Sequence, residues 1–382
     1  MTNSKKIRDF LAERRPTPYV VVDLDIVADN YRKLKDAVPQ AGIYYAVKAN
    51  PAPEILDTLA KLGSSFDTAS VNEIDMALRS GVAADRISFG NTIKKQADIA
   101  AAYARGVRLF AFDSEAELEK LSVAAPGAKV FCRILTSGEG ADWPLSRKFG
   151  CDPAMARELL IAAASKGVVP HGVSFHVGSQ MKDPNAWDAA VAQAAWLFRE
   201  CEDAGVQLNM LNMGGGFPTK YRKDIPTMGS YGAAIHAALA RHFGNRVPEI
   251  IVEPGRQMVG NAGTIDTEVV LVSRKSKTDT KRWVFLDIGK FGGLAETMDE
   301  AIQYPIVSAK KGTPGNPVKV ERVILAGPTC DSADVLYEKA DYRLPVDLAA
   351  GDRLEIRATG AYTTTYSAVA FNGFEPLKCY CI

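Results

Sequence analysis

The chain has 382 residues, enough for two cores, and its 46 Lys and Arg stand against 45 Asp and Glu. That balance gives no electrostatic reason to expect nucleic acid or an anionic membrane as partner. No apolar run is long enough to span a bilayer and the start lacks the apolar segment of a signal peptide, while six scattered cysteines show neither zinc spacing nor the density of a disulfide framework, so a reducing cytoplasm is expected.

In chain order, the segment through Pro16-Thr17-Pro18 is charged and turn-rich, and residues 19–22 read as a strand. A helical period follows over 25–38, with Ile26, Leu34 and Val38 apolar. From there short apolar strands alternate with helices. The strands fall at 43–47, 64–67, 86–89, 108–112, 129–135, 171–176, 208–213 and 249–253. The helices fall at 53–62, 71–80, 94–105, 114–124, 153–166, 186–204 and 231–243. Alternation means a parallel sheet, and eight units predict a closed (β/α)8 barrel, with a doubly wound open sheet as the alternative. From about Gly263 the strands at 264–273, 282–286, 318–325 and 353–358 follow one another without long helices. They predict a mostly β sandwich domain that strand 19–22 joins. The expected division is a barrel over 24–262 and a β domain from 1–23 and 263–382.

Polar residues collect just after the carboxyl ends of the predicted barrel strands: Lys48, Asp67, Asn91, Arg133, His176 with Ser179, Gly214-Gly215-Gly216, and Glu253 with Arg256. In a barrel those ends share one rim, where an active site is expected. Lys48 follows a buried strand, where it is either a solvated strand end or an amine that attacks a carbonyl to form a Schiff base. Three consecutive glycines let backbone N–H groups turn toward one anion, as a phosphate nest or simply as a tight turn. The dinucleotide pattern fails, because Thr219 stands where its last glycine belongs.

Glu253-Pro254-Gly255-Arg256 holds a carboxylate and a phosphate-competent guanidinium in one turn, unless the two merely pair on the surface. His176 is either a core histidine or an imidazole stacked on a flat ring. With four histidines in the chain and no second ligand nearby, no metal is expected. Cys330, between Thr329 and Asp331, is a candidate acid or nucleophile or else an inert thiol. Together these residues suit pyridoxal phosphate. Lys48 holds the aldehyde; the glycines, Ser179 and Arg256 take the phosphate; Glu253 keeps the pyridine nitrogen protonated. Decarboxylation, racemisation and transamination all remain open to such a site.

The motifs Tyr45-Ala46-Val47-Lys48-Ala49-Asn50, Phe66-Asp67-Thr68-Ala69-Ser70, Ser174-Phe175-His176-Val177-Gly178-Ser179, Gly214 to Pro218, Glu253 to Arg256, Gly327 to Asp331 and Gly360 to Thr363 go further. Through them the chain resembles the barrel-type pyridoxal-phosphate amino-acid decarboxylases, most closely the ornithine/lysine branch, from Pro18 to about Phe374. The resemblance implies an alanine-racemase-like barrel with a β-sandwich domain and a head-to-tail homodimer with shared active sites. It implies Lys48 as the Schiff-base lysine, His176 on the ring and Glu253 at the pyridine nitrogen. Ser179, Gly215, Gly216, Arg256 and Tyr362 would hold the phosphate, and Asp67 and Arg133 would buttress the site. From the second subunit, Cys330 would return a proton to the α-carbon and Asp331 would meet the substrate's distal ammonium. A dimer-spanning pair of Lys148 with Asp334 is implied as well.

One departure stands out. Eukaryotic ornithine enzymes carry Asp-Gly-x-Tyr-Gly-Ser where this chain reads Asp287-Ile288-Gly289-Lys290-Phe291-Gly292-Gly293, so their second substrate-binding aspartate falls on Ile288. Asp287 or Glu296 is the expected substitute, unless the distal amine is met through water. The implied reaction is decarboxylation of ornithine, and of lysine, to putrescine and cadaverine in polyamine synthesis. The alternatives are another basic or diamino acid (diaminopimelate, arginine), a racemase, or a catalytically silent regulatory relative.

Overall fold

A computed structural model describes residues 2–143, 148–310 and 318–382. The chain divides into two compact units: Val27–Pro218 with Ile225–Met258, and Met1–Ile26 with Thr219–Asp224 and Val259–Ile382.

The first unit is a closed barrel of eight parallel strands, Ala41–Ala46, Ser65–Thr68, Ile87–Phe89, Leu109–Phe112, Lys129–Arg133, Val169–Ser174, Met210–Asn212 and Glu249–Val252. The last pairs with the first, Ile250 opposite Ala41 and Val252 opposite Ile43. No edge is left, which excludes the open sheet. Several strands stop short of their expected ends. The fifth ends at Arg133 and the sixth at Ser174, leaving His176 in a loop.

Among the described residues eight helices surround the barrel: Leu24–Ala37 ahead of the first strand, then Pro53–Lys61, Val71–Arg79, Gln96–Ala104, Glu115–Ala124, Pro153–Ser165, Trp187–Asp203 and Met228–Phe243. Four of them start on a capping side chain, Ser70, Ser114, Asp152 or Thr227. Ser70 accepts from the N–H of Glu73 at 3.2 Å, and Asp152 accepts from Ala154 at 2.8 Å with Pro153 next in line.

Inside the barrel Tyr44, Ala111, Phe131, Met210 and Ile251 pack together, large side chains filling what would otherwise be a bore. Gly172 faces Met210 in the strand register, and a Cβ there would run into the Met210 carbonyl oxygen. Gly172→Ala is therefore expected to cost about 1–3 kcal/mol through overpacking. A urea midpoint identical to that of the wild type would show that the wall gives way freely.

The second unit is a curled mixed sheet. Ile306–Ser308, Arg353–Arg357, Gly263–Ser273, Arg282–Leu286, Val320–Ala326 and Val335–Pro345 lie side by side in that order. Tyr19–Val22 joins it, antiparallel to Gly263–Ser273 and parallel to Lys378–Cys381. A register shift between Val269 and Leu271 lets the long strand Gly263–Ser273 serve one set of partners with its first half and another with its second.

Four helices and strands here escaped the sequence reading: Lys5–Ala12, Ile306–Ser308, Val335–Pro345 and Lys378–Cys381. The first is a short helix capped by Ser4, which accepts from Ile7 N–H at 3.2 Å, and it seats Ile7 against Tyr19 and Val21. Among the described residues no helix is long and apolar enough to cross a membrane.

Candidate active site

The first barrel strand stops at Ala46, and Val47–Ala49 form a single 3-10 turn carrying Lys48. The stop is fixed by local bonds. Ala46 N–H donates to Pro254 O at 3.1 Å, Tyr45 OH donates to Asn50 O at 2.9 Å, and Asn50 Oδ1 accepts from Ala52 N–H at 3.1 Å. Lys48 thus stands just past the strand rather than on its end. Its side chain is 52% exposed, so the rim alone does not strip it of water.

Lys48 Nζ lies 4.0 Å from Asp67 Oδ2. Asp67 is buried, takes a hydrogen bond from Ser88 Oγ at 3.1 Å, and lies so close to Gly90 that a Cβ there would collide with Oδ1. Burial pushes the Asp67 carboxyl well above the usual carboxylate range. The charge of Glu253 pushes it further, and the Lys48 ammonium opposes both.

Arg133 closes the fifth strand with its guanidinium 5.3 Å from the Phe149 ring. Burial pulls it below its usual value against the carboxylates of Glu253, Asp113 and Asp67. His176 receives the Gly178 N–H on Nδ1 at 2.9 Å, so Nδ1 is an acceptor. Burial, with Arg133 and Lys48 adding to it, lowers its pKa to about 3. The imidazole is therefore a neutral flat ring at physiological pH.

Behind His176 lie the glycines. Gly214 and Gly216 adopt φ of +63° and +103°, which side-chain-bearing residues rarely hold. A Cβ on Gly215 would stand 2.6 Å from Glu253 O and 3.2 Å from His176 Nε2, and one on Gly216 would stand 2.7 Å from Gly178 O. Beside them Arg256 is 3% exposed, and its Nε and Nη2 each donate to Ser179 Oγ at 3.2 Å. Glu253 follows the eighth strand, held by its N–H donating to Gly214 O at 2.8 Å. Its Oε1 accepts from Asn212 Nδ2 at 2.5 Å.

All eleven rim residues picked from the sequence (Lys48, Asp67, Asn91, Arg133, His176, Ser179, Gly214, Gly215, Gly216, Glu253 and Arg256) stand at the carboxyl ends of barrel strands or in the segments that directly follow them. Asn212 and Ser88 belong with them and were missed. Asn212 could have been found from its place directly before the glycine run.

The remaining picks lie in the second unit. Cys330 is exposed, its N–H donating to Asn372 Oδ1 at 2.8 Å. Asp331 is exposed as well and accepts from Ala333 N–H at 2.8 Å. The turn they share is tied by buried Asp334, whose carboxylate accepts from Lys290 N–H at 2.7 Å and from Thr329 Oγ1 at 2.7 Å. That task inside its own chain was not foreseen when Asp334 was expected to pair with Lys148.

Asp287 accepts from Thr267 Oγ1 at 2.5 Å and Glu268 N–H at 3.0 Å. With Phe291, Thr329 and Phe371 it also walls a cavity of about 200 Å³. Glu296 and Ile288 are buried. Tyr362 holds φ of +54° with its ring 5.8 Å from that of Tyr366.

The donor set of the barrel rim suits pyridoxal phosphate. A cradle that any Cβ would fill, next to a buried guanidinium, matches a phosphate dianion. A primary amine and a carboxylate on the same rim match an aldehyde and a ring nitrogen. Among the described residues no group of three or more His, Cys, Asp or Glu is placed to hold a metal.

Comparison with known proteins agrees. Residues 24–260 match the family model described as pyridoxal-dependent decarboxylase, pyridoxal binding domain. The lysine/ornithine decarboxylase of Selenomonas ruminantium is 37% identical over 373 residues, covering 97% of this chain and 91% of that protein. Antizyme inhibitor 2 of Xenopus laevis is 34% identical over 369 residues, covering 94% and 79%. The crystal structure of lysine/ornithine decarboxylase complexed with putrescine from Vibrio vulnificus superposes with a TM-score of 0.87 at 30% identity, covering 100% of this chain and 99% of that one.

Proposed function

Because this chain belongs to the pyridoxal-dependent decarboxylases, in their lysine/ornithine branch, we propose that it removes the α-carboxyl group of L-ornithine and L-lysine, releasing putrescine and cadaverine for polyamine synthesis. The observation that carries the reading is the barrel rim itself, where Lys48 Nζ, the Asp67 carboxylate, the Glu253 carboxylate with its Asn212 donor, and the Arg256–Ser179 pair beside the glycine cradle face one site. Pyridoxal phosphate bound there supplies an electron-withdrawing ring that takes up negative charge developing at the substrate's α-carbon.

The chain's own residues then divide the work. Lys48 would anchor the cofactor's aldehyde carbon once its ammonium has lost a proton, and the Asp67 carboxyl 4.0 Å away can take that proton up. Arg256, Ser179, Gly215 and Gly216 hold the phosphate, with Tyr362 as a further ligand. Neutral His176 covers one face of the ring. Arg133 sits near both Asp67 and Glu253 and limits their mutual repulsion. Glu253 accepts the ring nitrogen's proton-bearing hydrogen bond, which keeps the ring electron-poor.

In a homodimer with shared sites, Cys330 of the second protomer delivers the proton to the α-carbon once carbon dioxide has left, and Asp331 meets the distal ammonium. Asp287 and Glu296 are the candidates for a second contact to that ammonium. The functional division follows the barrel at 24–262 and the β domain at 1–23 and 263–382.

A purified sample tests the reaction. Carbon dioxide release from ornithine and lysine is expected well above that from arginine or diaminopimelate, and release from neither would remove the assignment. The similarity to an antizyme inhibitor raises a second reading, a silent protein that acts by binding a partner. Cofactor binding without turnover of any of the four amino acids would favour it. Glu253→Gln is expected to lower kcat on the order of 10²-fold, with a smaller change in KM, as for an interaction made mainly in the transition state. An unchanged kcat would take Glu253 out of the reaction.

A further inference from the structure

Asn212 ends the seventh barrel strand, only 1% exposed, and both ends of its carboxamide are engaged. The Gly214 N–H donates to Oδ1 at 2.9 Å. A backbone N–H can only donate, so this bond fixes which end of the amide is oxygen and leaves Nδ2 to donate to Glu253 Oε1 at 2.5 Å. One side chain thus ties the carboxylate to the first amide of the glycine run. The register reinforces the tie: Asn212 lies opposite Ile251, Met213 N–H donates to Ile251 O at 2.8 Å, and Glu253 N–H donates to Gly214 O at 2.8 Å.

The charges around Glu253 explain why a neutral donor is useful at this place. Asp67 repels it, Arg133 attracts it, and Lys48, Glu73 and Asp113 act on those two in turn. A second cation would compete with the ring nitrogen for the carboxylate, and a second carboxylate would repel it. An amide fixes the direction of the carboxylate and adds no net charge.

We propose that Asn212 is a positioning residue for the decarboxylation: it aims the Glu253 carboxylate at the cofactor's ring nitrogen and couples that aim to the glycine cradle. This rests on the role given to Glu253 above.

Two substitutions separate the aim from mere support. Asn212→Leu keeps the volume and removes both polar ends. Asn212→Asp keeps the shape, and its carboxylic acid donates to Glu253 only while it holds its proton. Two carboxyl groups at hydrogen-bond distance share a proton over a raised pH range, so in this variant the donor is present at low pH and lost as pH rises through that shared ionisation.

The measurements are kcat and KM against pH, and the absorbance of the substrate-free holoenzyme against pH. Asn212→Leu is expected to lower kcat about tenfold with KM within about twofold, and to alter the cofactor's absorbance titration. Asn212→Asp is expected to approach wild-type turnover at low pH and to fall away at high pH, with a step the wild type lacks. In the double variant Asn212→Leu with Glu253→Gln, turnover is expected to match Glu253→Gln alone, because the two act through one contact.

Equal, pH-independent losses in both Asn212 variants with an unaltered cofactor spectrum would reduce Asn212 to structural support and overturn the inference. Wild-type behaviour of both variants alongside a crippled Glu253→Gln would overturn it too, while leaving the role of Glu253 standing. Wild-type turnover of Glu253→Gln would instead remove the reading on which it rests. Thermal melting of the apoprotein identifies a folding defect, and the pH-dependent recovery of Asn212→Asp cannot come from one.

Discussion

Lys48→Ala is expected to abolish turnover and to release the cofactor from covalent attachment while leaving it bound. The loss is total in kind, because no other described amine takes the place of Lys48 on the strand-end turn that faces Asp67. Binding survives because the phosphate is held elsewhere, by Arg256, Ser179 and the glycine cradle. Borohydride reduction fixes the cofactor to whichever amine it is bonded to, and peptide mapping then locates that amine. In the wild type the tag belongs on the peptide carrying Lys48, and in the variant there is none. A tag on a different lysine would overturn the assignment, and loss of all cofactor affinity would mean that the phosphate cradle contributes little. Nucleophilic attack by an amine needs its unprotonated form. With the Lys48 side chain half exposed, the chain provides for this through the nearby Asp67 carboxyl, which burial and the charge of Glu253 leave ready to hold a proton.

Much of this rim was legible in the sequence for a simple reason. Parallel strands alternating with helices put every strand's carboxyl end on the same side. A polar residue placed just after seven of the eight apolar runs, from Lys48 to Arg256, therefore has to reach a common rim once the barrel closes. Gly214 to Gly216 were legible because three glycines in a row carry no side chain that any packing could use.

Asn212 was overlooked because a polar residue at the end of a strand reads as routine, and its meaning lies in two bonds that only the closed barrel forms. Val335–Pro345 was overlooked for a different reason. Its centre, Glu338-Lys339-Ala340-Asp341, reads as a charged turn, yet Glu300 accepts the N–H groups of Glu338, Lys339 and Ala340 at 2.7 Å each and holds that stretch as a bulge within the strand, where the register against Val320–Ala326 shifts. A strand whose backbone is satisfied by a distant carboxylate leaves no local signature. The task of Asp334 within its own chain was overlooked. Its part in tying the Gly327–Asp331 turn depends on Gly289 and Gly327, each so close to its carboxylate that a Cβ would collide with it.

The last expected result concerns Cys330. It is exposed on the β unit, whereas Lys48 belongs to the barrel. In a head-to-tail dimer each active site would take its lysine from one protomer and its cysteine from the other. A two-fold axis repeats every contact, so each dimer would hold two equivalent shared sites. Lys48→Ala and Cys330→Ala, each crippled alone, are mixed in equal amounts under conditions that allow subunits to exchange. In a mixed dimer one site collects both lesions and the other collects neither. Random exchange makes half the dimers mixed, so roughly a quarter of all sites become wild type. Activity is expected to climb from the level of the separate variants toward that fraction as exchange proceeds. If mass spectrometry confirms mixed dimers and activity stays flat, Lys48 and Cys330 serve one site from a single chain, and the shared-site proposal fails. The distinction is sharp because sharing restores intact sites out of two defective proteins. An arrangement within one chain leaves a lesion in every site, whatever the partner.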